Sequence, residues 1–238
     1  MEIIVFLLIA VAVIVIVIIN KIKYRNWKNV EGKITEFIFE NGMHYPVFSF
    51  TTIDGKEYCF DENGHMVTGW HMYHGDWIYA ESDGRLVTEW KKINANWYYF
   101  YNGSGIYMFS NGWSKIDGVK YYFLSSGEMA TGWQKISEKW YYFESNGIYV
   151  TGWKQIQGKW YYFNDEGVMN NSRLHSINGV QYSFDADGAM SVGWRQINGE
   201  WLYFESNGTP AKGWKQLSGV WYYFDSDGEM VTGNMRIG

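Results

Sequence analysis

Fourteen tryptophans and twenty tyrosines in 238 residues give this chain a large stock of electron-rich ring faces. Trp70, Trp90, Trp113, Trp133, Trp153, Trp194 and Trp214 recur at steps of 20, 23, 20, 20, 41 and 20, and Leu174 fills the long step. Seven residues after each of these positions comes a second slot: Trp77, Trp97, Lys120, Trp140, Trp160, Gln181, Trp201 and Trp221. That interval does not vary over the array, so it sets two rings in one repeated local geometry. Ring faces held this way can attract a cation or stack on a sugar ring.

Other chemistries find little support. The chain lacks a G-x-S-x-G elbow, a Cys/His pair and a phosphate loop, and no pair of carboxylates stands apart from the turns. His65, His71 and His74 sit around a turn without cysteine partners and read as surface polar residues, not metal ligands. The Asp/Asn/Gly turns lack the spacing of a calcium loop. Cys59 is the single cysteine, which excludes an internal disulfide and a Cys-based zinc site; a packed thiol is its expected state. A net charge of −5 argues against nucleic acid. No cofactor is expected, and the chain does not read as an enzyme.

The elements that must position these rings follow from the turns between them. Asp117-Gly118, Asn178-Gly179 and Asn198-Gly199 are pairs suited to two-residue hairpin loops, because both residues tolerate positive φ. Aromatic and β-branched residues flank them, as in Trp140-Tyr141-Tyr142-Phe143. A second turn, such as Asp225-Ser226-Asp227-Gly228, links each unit to the next. A lone hairpin is marginal in water. The expected fold is therefore all-β, a solenoid of stacked hairpins. Trp140 and Tyr142 share one face of a strand and Tyr141 and Phe143 the other. The first face is assigned to ligand and the second to core. Met66, Met129 and Met190 precede first-slot residues by four, where they are expected to fill gaps in that core, the alternative being that they line cavities.

The array is expected over residues 50–238, about nine hairpin units with the first and last acting as caps. Phe50 and Glu57 take the two slots of the first unit. Residues 23–49 form a short β segment, with two strands, Gly32 to Glu40 and His44 to Ser49, around Glu40-Asn41-Gly42. With Tyr45-Pro46-Val47-Phe48, this piece resembles a small β-domain that follows a membrane helix in a bacterial family of unknown function. Ile3 to Ile19 is an unbroken apolar run that spans roughly 25 Å as a helix. It has no usable cleavage site, so residues 1–22 read as an uncleaved transmembrane anchor. Lys21, Lys23, Arg25 and Lys28 follow it, which by charge alone would keep the repeats in the cytoplasm.

Units such as Thr131-Gly132-Trp133-Gln134-Lys135-Ile136-Ser137-Glu138-Lys139-Trp140-Tyr141-Tyr142-Phe143 resemble the cell-wall-binding repeats of choline-binding proteins from Gram-positive bacteria and their phages. Glucan-binding repeats and clostridial toxin repeats are related. The resemblance implies ligand sites between neighbouring hairpins, each a box of two Trp from one hairpin and a Tyr from the next. A quaternary ammonium has no N–H to donate, and each ring face holds it by about 0.5–2 kcal/mol. Carried onto this chain, the boxes are Trp70, Trp77 and Tyr99; Trp90, Trp97 and Tyr122; Trp133, Trp140 and Tyr162; and Trp194, Trp201 and Tyr223. Three extra residues in the connection after Phe100 threaten the second box. Lys120 would repel a cation, Trp153/Trp160 faces Ser183 where a Tyr is wanted, Leu174/Gln181 has no Trp, and Trp214/Trp221 has no following hairpin.

Three functions remain open. One is a membrane-anchored surface module that binds choline on teichoic or lipoteichoic acid. Another is a lectin-like module for glucans or host glycans. The third is a structural adaptor or spacer at the cell surface. Wall-polymer ligands are external, so the resemblance places the repeats outside the cell despite the flanking charges.

Overall fold

A computed structural model of the protein describes residues 32–34, 48–52, 55–61, 65–73, 75–103 and 105–233. The run Ile3–Ile19, and with it the expected anchor and its orientation, lies outside the described residues, as does His74. Among the described residues no helix is long and apolar enough to cross a membrane. Every regular element described is a β-strand.

Strands β1 (Gly32–Ile34), β2 (Phe48–Thr52) and β3 (Glu57–Phe60) form an antiparallel sheet in the order β1-β2-β3. Gly32 pairs with Thr52 and Ile34 with Phe50. Two-stranded hairpins then follow one another: β4–β5 (Gly69–Tyr73, Asp76–Ala80) and β6–β7 (Glu89–Ile93, Asn96–Asn102), the latter extended by β8 (Ile106–Met108). After these come β9–β10 (Gly112–Ile116, Val119–Phe123), β11–β12 (Gly132–Ile136, Lys139–Phe143) and β13–β14 (Gly152–Ile156, Lys159–Phe163). The last are β15–β16 (Leu174–Ile177, Val180–Ser183), β17–β18 (Gly193–Ile197, Glu200–Phe204) and β19–β20 (Gly213–Leu217, Val220–Phe224). The chain divides into two compact units, residues 1–114 with 122–129, and residues 115–121 with 130–238.

The seven-residue interval is a consequence of the loop. Asp117 and Gly118 have φ of 49° and 84°, and Asn178 and Gly179 have 50° and 79°, the paired positive values of a type I′ turn. Ser137 and Glu138 adopt the same conformation, at 48° and 64°, without a glycine. This turn sets Trp133 opposite Tyr142 and Lys135 opposite Trp140. Alternation along each strand then puts Trp133, Lys135, Trp140 and Tyr142 on one face, and Gln134, Ile136, Tyr141 and Phe143 on the other.

A short third segment closes each repeat through one bridge, such as Phe143 to Tyr149 or Phe163 to Met169. The turn before it is held by its first side chain. Asp225 Oδ1 accepts the Asp227 and Glu229 N–H groups at 2.9 Å each, and Asn164 Oδ1 accepts those of Glu166 and Val168 at 3.0 and 2.8 Å. These carboxylates and amides are occupied by the turn itself.

Within each unit, successive hairpins stack. In the second unit, Trp140 O accepts Met169 N at 2.8 Å, and Trp160 O and Trp201 O accept Met190 N and Met230 N at 2.7 Å. In the first unit Trp97 O accepts Met129 N at 2.7 Å. The side chain of the closing segment rests on the glycine of the next repeat's turn: Met66 on Gly84, Met108 on Gly127, Met169 on Gly188 and Met190 on Gly208. A Cβ on Gly188 would sit 2.6 Å from Met169 Sδ, so the thioether would have to shift to admit it, and the φ of 80° itself favours glycine. Met129 is buried in the core, as expected.

In each unit the largest fully buried side chains are phenylalanines. Phe100, Phe123, Phe143, Phe163, Phe204 and Phe224 each keep no more than 1% of their surface exposed. Cys59 is fully buried, and burial pushes its thiol up to about 12. Half-buried ion pairs recur at a spacing of ten: Lys154 with Glu144 at 2.5 Å, Lys215 with Glu205 at 2.6 Å, and Lys91 with Glu81.

Candidate functional site

The backbone forces the two indoles of a hairpin into a corner. The first Trp follows a residue in the left-handed region: Gly69, Gly132, Gly152, Gly193 and Gly213 have φ between 65° and 76°. The second Trp lies diagonally across the strand pair on the same face. Trp133 and Trp140 have ring centroids 6.1 Å apart at 90°. Trp70/Trp77, Trp90/Trp97, Trp153/Trp160 and Trp194/Trp201 repeat this at 6.1–6.5 Å and 83–89°. The second Trp is open to solvent, with Trp77, Trp97, Trp140, Trp160 and Trp201 between 39% and 43% exposed. Each corner therefore offers two perpendicular ring faces, one packed against protein and one reachable from outside.

The third ring is not the one expected. Tyr99 lies 5.2 Å from Trp90 of its own hairpin, Tyr122 5.2 Å from Trp113, Tyr162 5.2 Å from Trp153, and Tyr223 5.2 Å from Trp214. They are cross-strand partners within a hairpin, as the pairing of Trp153 with Tyr162 requires. The ring that the next hairpin brings to each corner is the preceding tyrosine. Tyr98 lies 4.9 Å from Trp70, Tyr161 4.9 Å from Trp133, and Tyr222 4.9 Å from Trp194. The Phe of the same strand packs behind it, as Phe163 does 5.7 Å from Trp133.

The reason is topological. The Trp face of one hairpin packs against the Tyr/Phe face of the next, so the division into a ligand face and a core face does not hold. Phe163 must be buried, and Tyr161 lies on its face of the strand. The position of Phe in the tetrad was the signal for this, since whichever tyrosine shares its face meets the neighbouring corner.

This correction completes a fifth corner. Tyr182 lies 4.8 Å from Trp153, so Ser183 at the following position leaves no gap in the Trp153/Trp160 site. The insertion after Phe100 is absorbed by longer β7 and by β8, and Trp90/Trp97 keeps the common geometry at 6.4 Å and 87°. Phe123 stacks on Trp90 at 5.9 Å.

Tyr98 donates its O–H to Glu128 at 3.1 Å, and burial followed by this carboxylate raises its phenol. No group of His, Cys, Asp and Glu among the described residues could hold a metal ion.

The comparisons with known proteins agree with this geometry. A choline-binding repeat model matches residues 47–89 and 110–148, and a cell wall binding repeat model matches 88–107, 151–169, 192–209 and 212–230. Among solved structures, choline binding protein F from Streptococcus pneumoniae, crystallised in the presence of a peptidoglycan analogue, is 31% identical. The match covers 87% of this chain and 72% of that one, with a TM-score of 0.66. The choline-binding domain of CbpL from Streptococcus pneumoniae is 29% identical over 76% of this chain and 96% of that one, with a TM-score of 0.57. CbpJ from the same species is 26% identical over 82% and 94%, with a TM-score of 0.56. No curated protein sequence matches the chain. Hairpin stack, indole corners and repeat matches coincide over the same residues, and the chain belongs to the family of choline-binding, cell wall binding repeat proteins.

Proposed function

We propose that the repeats hold the protein on the bacterial cell wall by binding choline carried on teichoic or lipoteichoic acid. The observation that carries this is the recurring corner of two perpendicular indoles with a tyrosine 4.8–4.9 Å from the inner one. Perpendicular faces suit a compact cation, whose charge can lie near all three rings at once. A sugar ring is flat and favours one broad platform, so the glycan reading is the weaker one. The proposed sites are Trp70/Trp77/Tyr98, Trp133/Trp140/Tyr161, Trp153/Trp160/Tyr182 and Trp194/Trp201/Tyr222, with Trp90/Trp97 as a further corner. The wall glycan itself is a second ligand to test, since the relative above was crystallised with a peptidoglycan analogue.

Residues 1–22 are proposed to anchor the chain in the membrane with the repeats outside, so that wall and membrane are gripped by one protein. The intact mass of the protein recovered from membranes checks this: a start near residue 13 or 21 would overturn the anchor.

Calorimetry of residues 50–238 with choline and with dextran tests the ligand. Choline should bind at several sites, weakly at each, with little heat from dextran. Tyr182→Ala should remove one site and Ser183→Ala none. Dextran binding without choline binding would make the glucan reading correct, and binding of neither would leave a spacer. Equal losses from both substitutions would refute the site assignment within the family.

A further inference from the structure

The junction between β15–β16 and β17–β18 is built differently from its neighbours. Neither repeat model matches residues 170–191. Leu174 stands in the first Trp slot, Gln181 in the second and Ser183 at the cross-strand Tyr. The opposing hairpin has changed with it: Leu202 replaces the tyrosine that would meet the corner, and Leu174 packs against Ile197, Leu202 and Phe204. Pro210 takes the place of the methionine whose N–H bonds the previous hairpin elsewhere, and it has no N–H to give. The aromatic site has been replaced by something else, on both sides of the junction.

Beside the altered corner lies a polar cavity of about 220 Å³, lined among others by Arg173, Ser183, Phe184, Asp185, Ser191 and Arg195. Two of the lining hydroxyls are buried, with Ser183 1% and Ser191 3% exposed. Ser191 Oγ has no hydrogen-bond partner, an arrangement that costs stability unless a ligand or solvent completes it. Neither guanidinium forms an ion pair with a described carboxylate; Arg195 Nη1 donates to Trp194 O at 2.8 Å and keeps further donors. The one acid in the lining, Asp185, accepts the Asp187 and Ala189 N–H groups with Oδ1 at 3.0 and 2.9 Å.

We propose that this cavity binds a phosphate ester group. Two arginines and two serines, drawn from three separate segments, line one cavity with room for a small anion. A tetrahedral phosphate presents acceptor oxygens in several directions and can satisfy donors from all three segments. A carboxylate offers two coplanar oxygens and leaves some of them unmet. The site is separate from the indole corners and does not depend on their binding choline.

The test is calorimetric titration of inorganic phosphate into the full chain saturated with choline, at fixed ionic strength. The wild type should bind one phosphate per chain saturably. Arg195→Gln and Ser191→Ala should each weaken it about tenfold, the loss of one charge-assisted contact, without changing choline capacity. In phosphate-free buffer Ser191→Ala should keep or raise the unfolding temperature, since it removes an unpartnered hydroxyl, so that lost binding is not lost folding. Absence of saturable phosphate binding, or binding unaffected by both substitutions, overturns the proposal and leaves the choline reading untouched. Acetate binding as well as phosphate would overturn the assignment to a phosphate.

Discussion

Glu89 is the natural exception to the Gly-Trp rule, and it makes the rule testable. The residue before Trp70, Trp133, Trp153, Trp194 and Trp214 lies in the left-handed region, and before Trp90 Glu89 occupies it with φ of 64° where Gly132 has 65°. A non-glycine residue there pays about 1–2 kcal/mol through the clash of its Cβ with the backbone. Glycine removes that strain but loses about 0.5–1 kcal/mol more backbone entropy on folding. Glu89→Gly should therefore stabilise the chain by about 1 kcal/mol, or roughly 2–4 °C in unfolding temperature for a chain of this size. Space does not complicate the comparison, because a Cβ on Gly132 would meet nothing within 4 Å. The reverse change, Gly132→Ala, should cost a similar amount for the same reason. Tryptophan fluorescence in a guanidinium titration reads both. An unchanged or lower midpoint for Glu89→Gly, with Gly132→Ala neutral, would show that this glycine is not selected for its dihedral angle.

Glu138 sits at φ of 64° in the second position of its hairpin turn, and Glu138→Gly should raise the stability by about 1 kcal/mol, read as a higher midpoint in the same titration. Its exposed ion pair with Lys135 offsets little of this. Cys59 should resist alkylation in the native state at pH 8 and react only as the chain unfolds, because burial raises its thiol to about 12; prompt labelling would contradict the burial. The unfolded thiol titrates near about 8.5, so the contribution of Cys59 is held below that pH and falls as pH rises toward 12. Cys59→Ala should flatten that part of the stability profile relative to wild type. Tyr161→Ala should remove the Trp133/Trp140 site alone, leaving the other choline sites in calorimetry, and a full loss of binding would mean that the sites are not independent.

The hairpins were readable because loop chemistry and ring spacing report the same local event. Asn178-Gly179 demands positive φ twice, and a two-residue turn then fixes the diagonal of seven. The partner of each corner was not readable in the same way. Alternation tells that Tyr161 and Phe163 share a face, but not which hairpin that face meets. The misassignment of Tyr162 came from treating the two faces as having separate tasks, whereas stacking makes one hairpin's floor the next one's wall. Ser183 misled for the same reason, since the ring that mattered was Tyr182. The insertion after Phe100 looked like a distortion because nothing in its sequence announces that β7 would lengthen and pair with β8. The polar cavity at Ser191 could not be seen at all, because Arg173, Ser183 and Arg195 converge only when two hairpins stack.

The seating of a closing side chain on a turn glycine makes the stack sensitive to oxidants. At four of the junctions described, the seat is filled by a thioether: Met66, Met108, Met169 or Met190. Peroxide turns a thioether into a sulfoxide and adds a polar oxygen to the sulfur. A carbon added to Gly188 would stand only 2.6 Å from Met169 Sδ, so the thioether lies close against the turn and leaves little room for that oxygen. Oxidation would therefore act as a wedge, parting hairpins whose joined faces make the indole corners. Where Tyr149 rests on Gly167 and Pro210 on Gly228, the same seat holds no sulfur. Peroxide would strike the stack unevenly, loosening the methionine junctions while the tyrosine and proline junctions stayed closed.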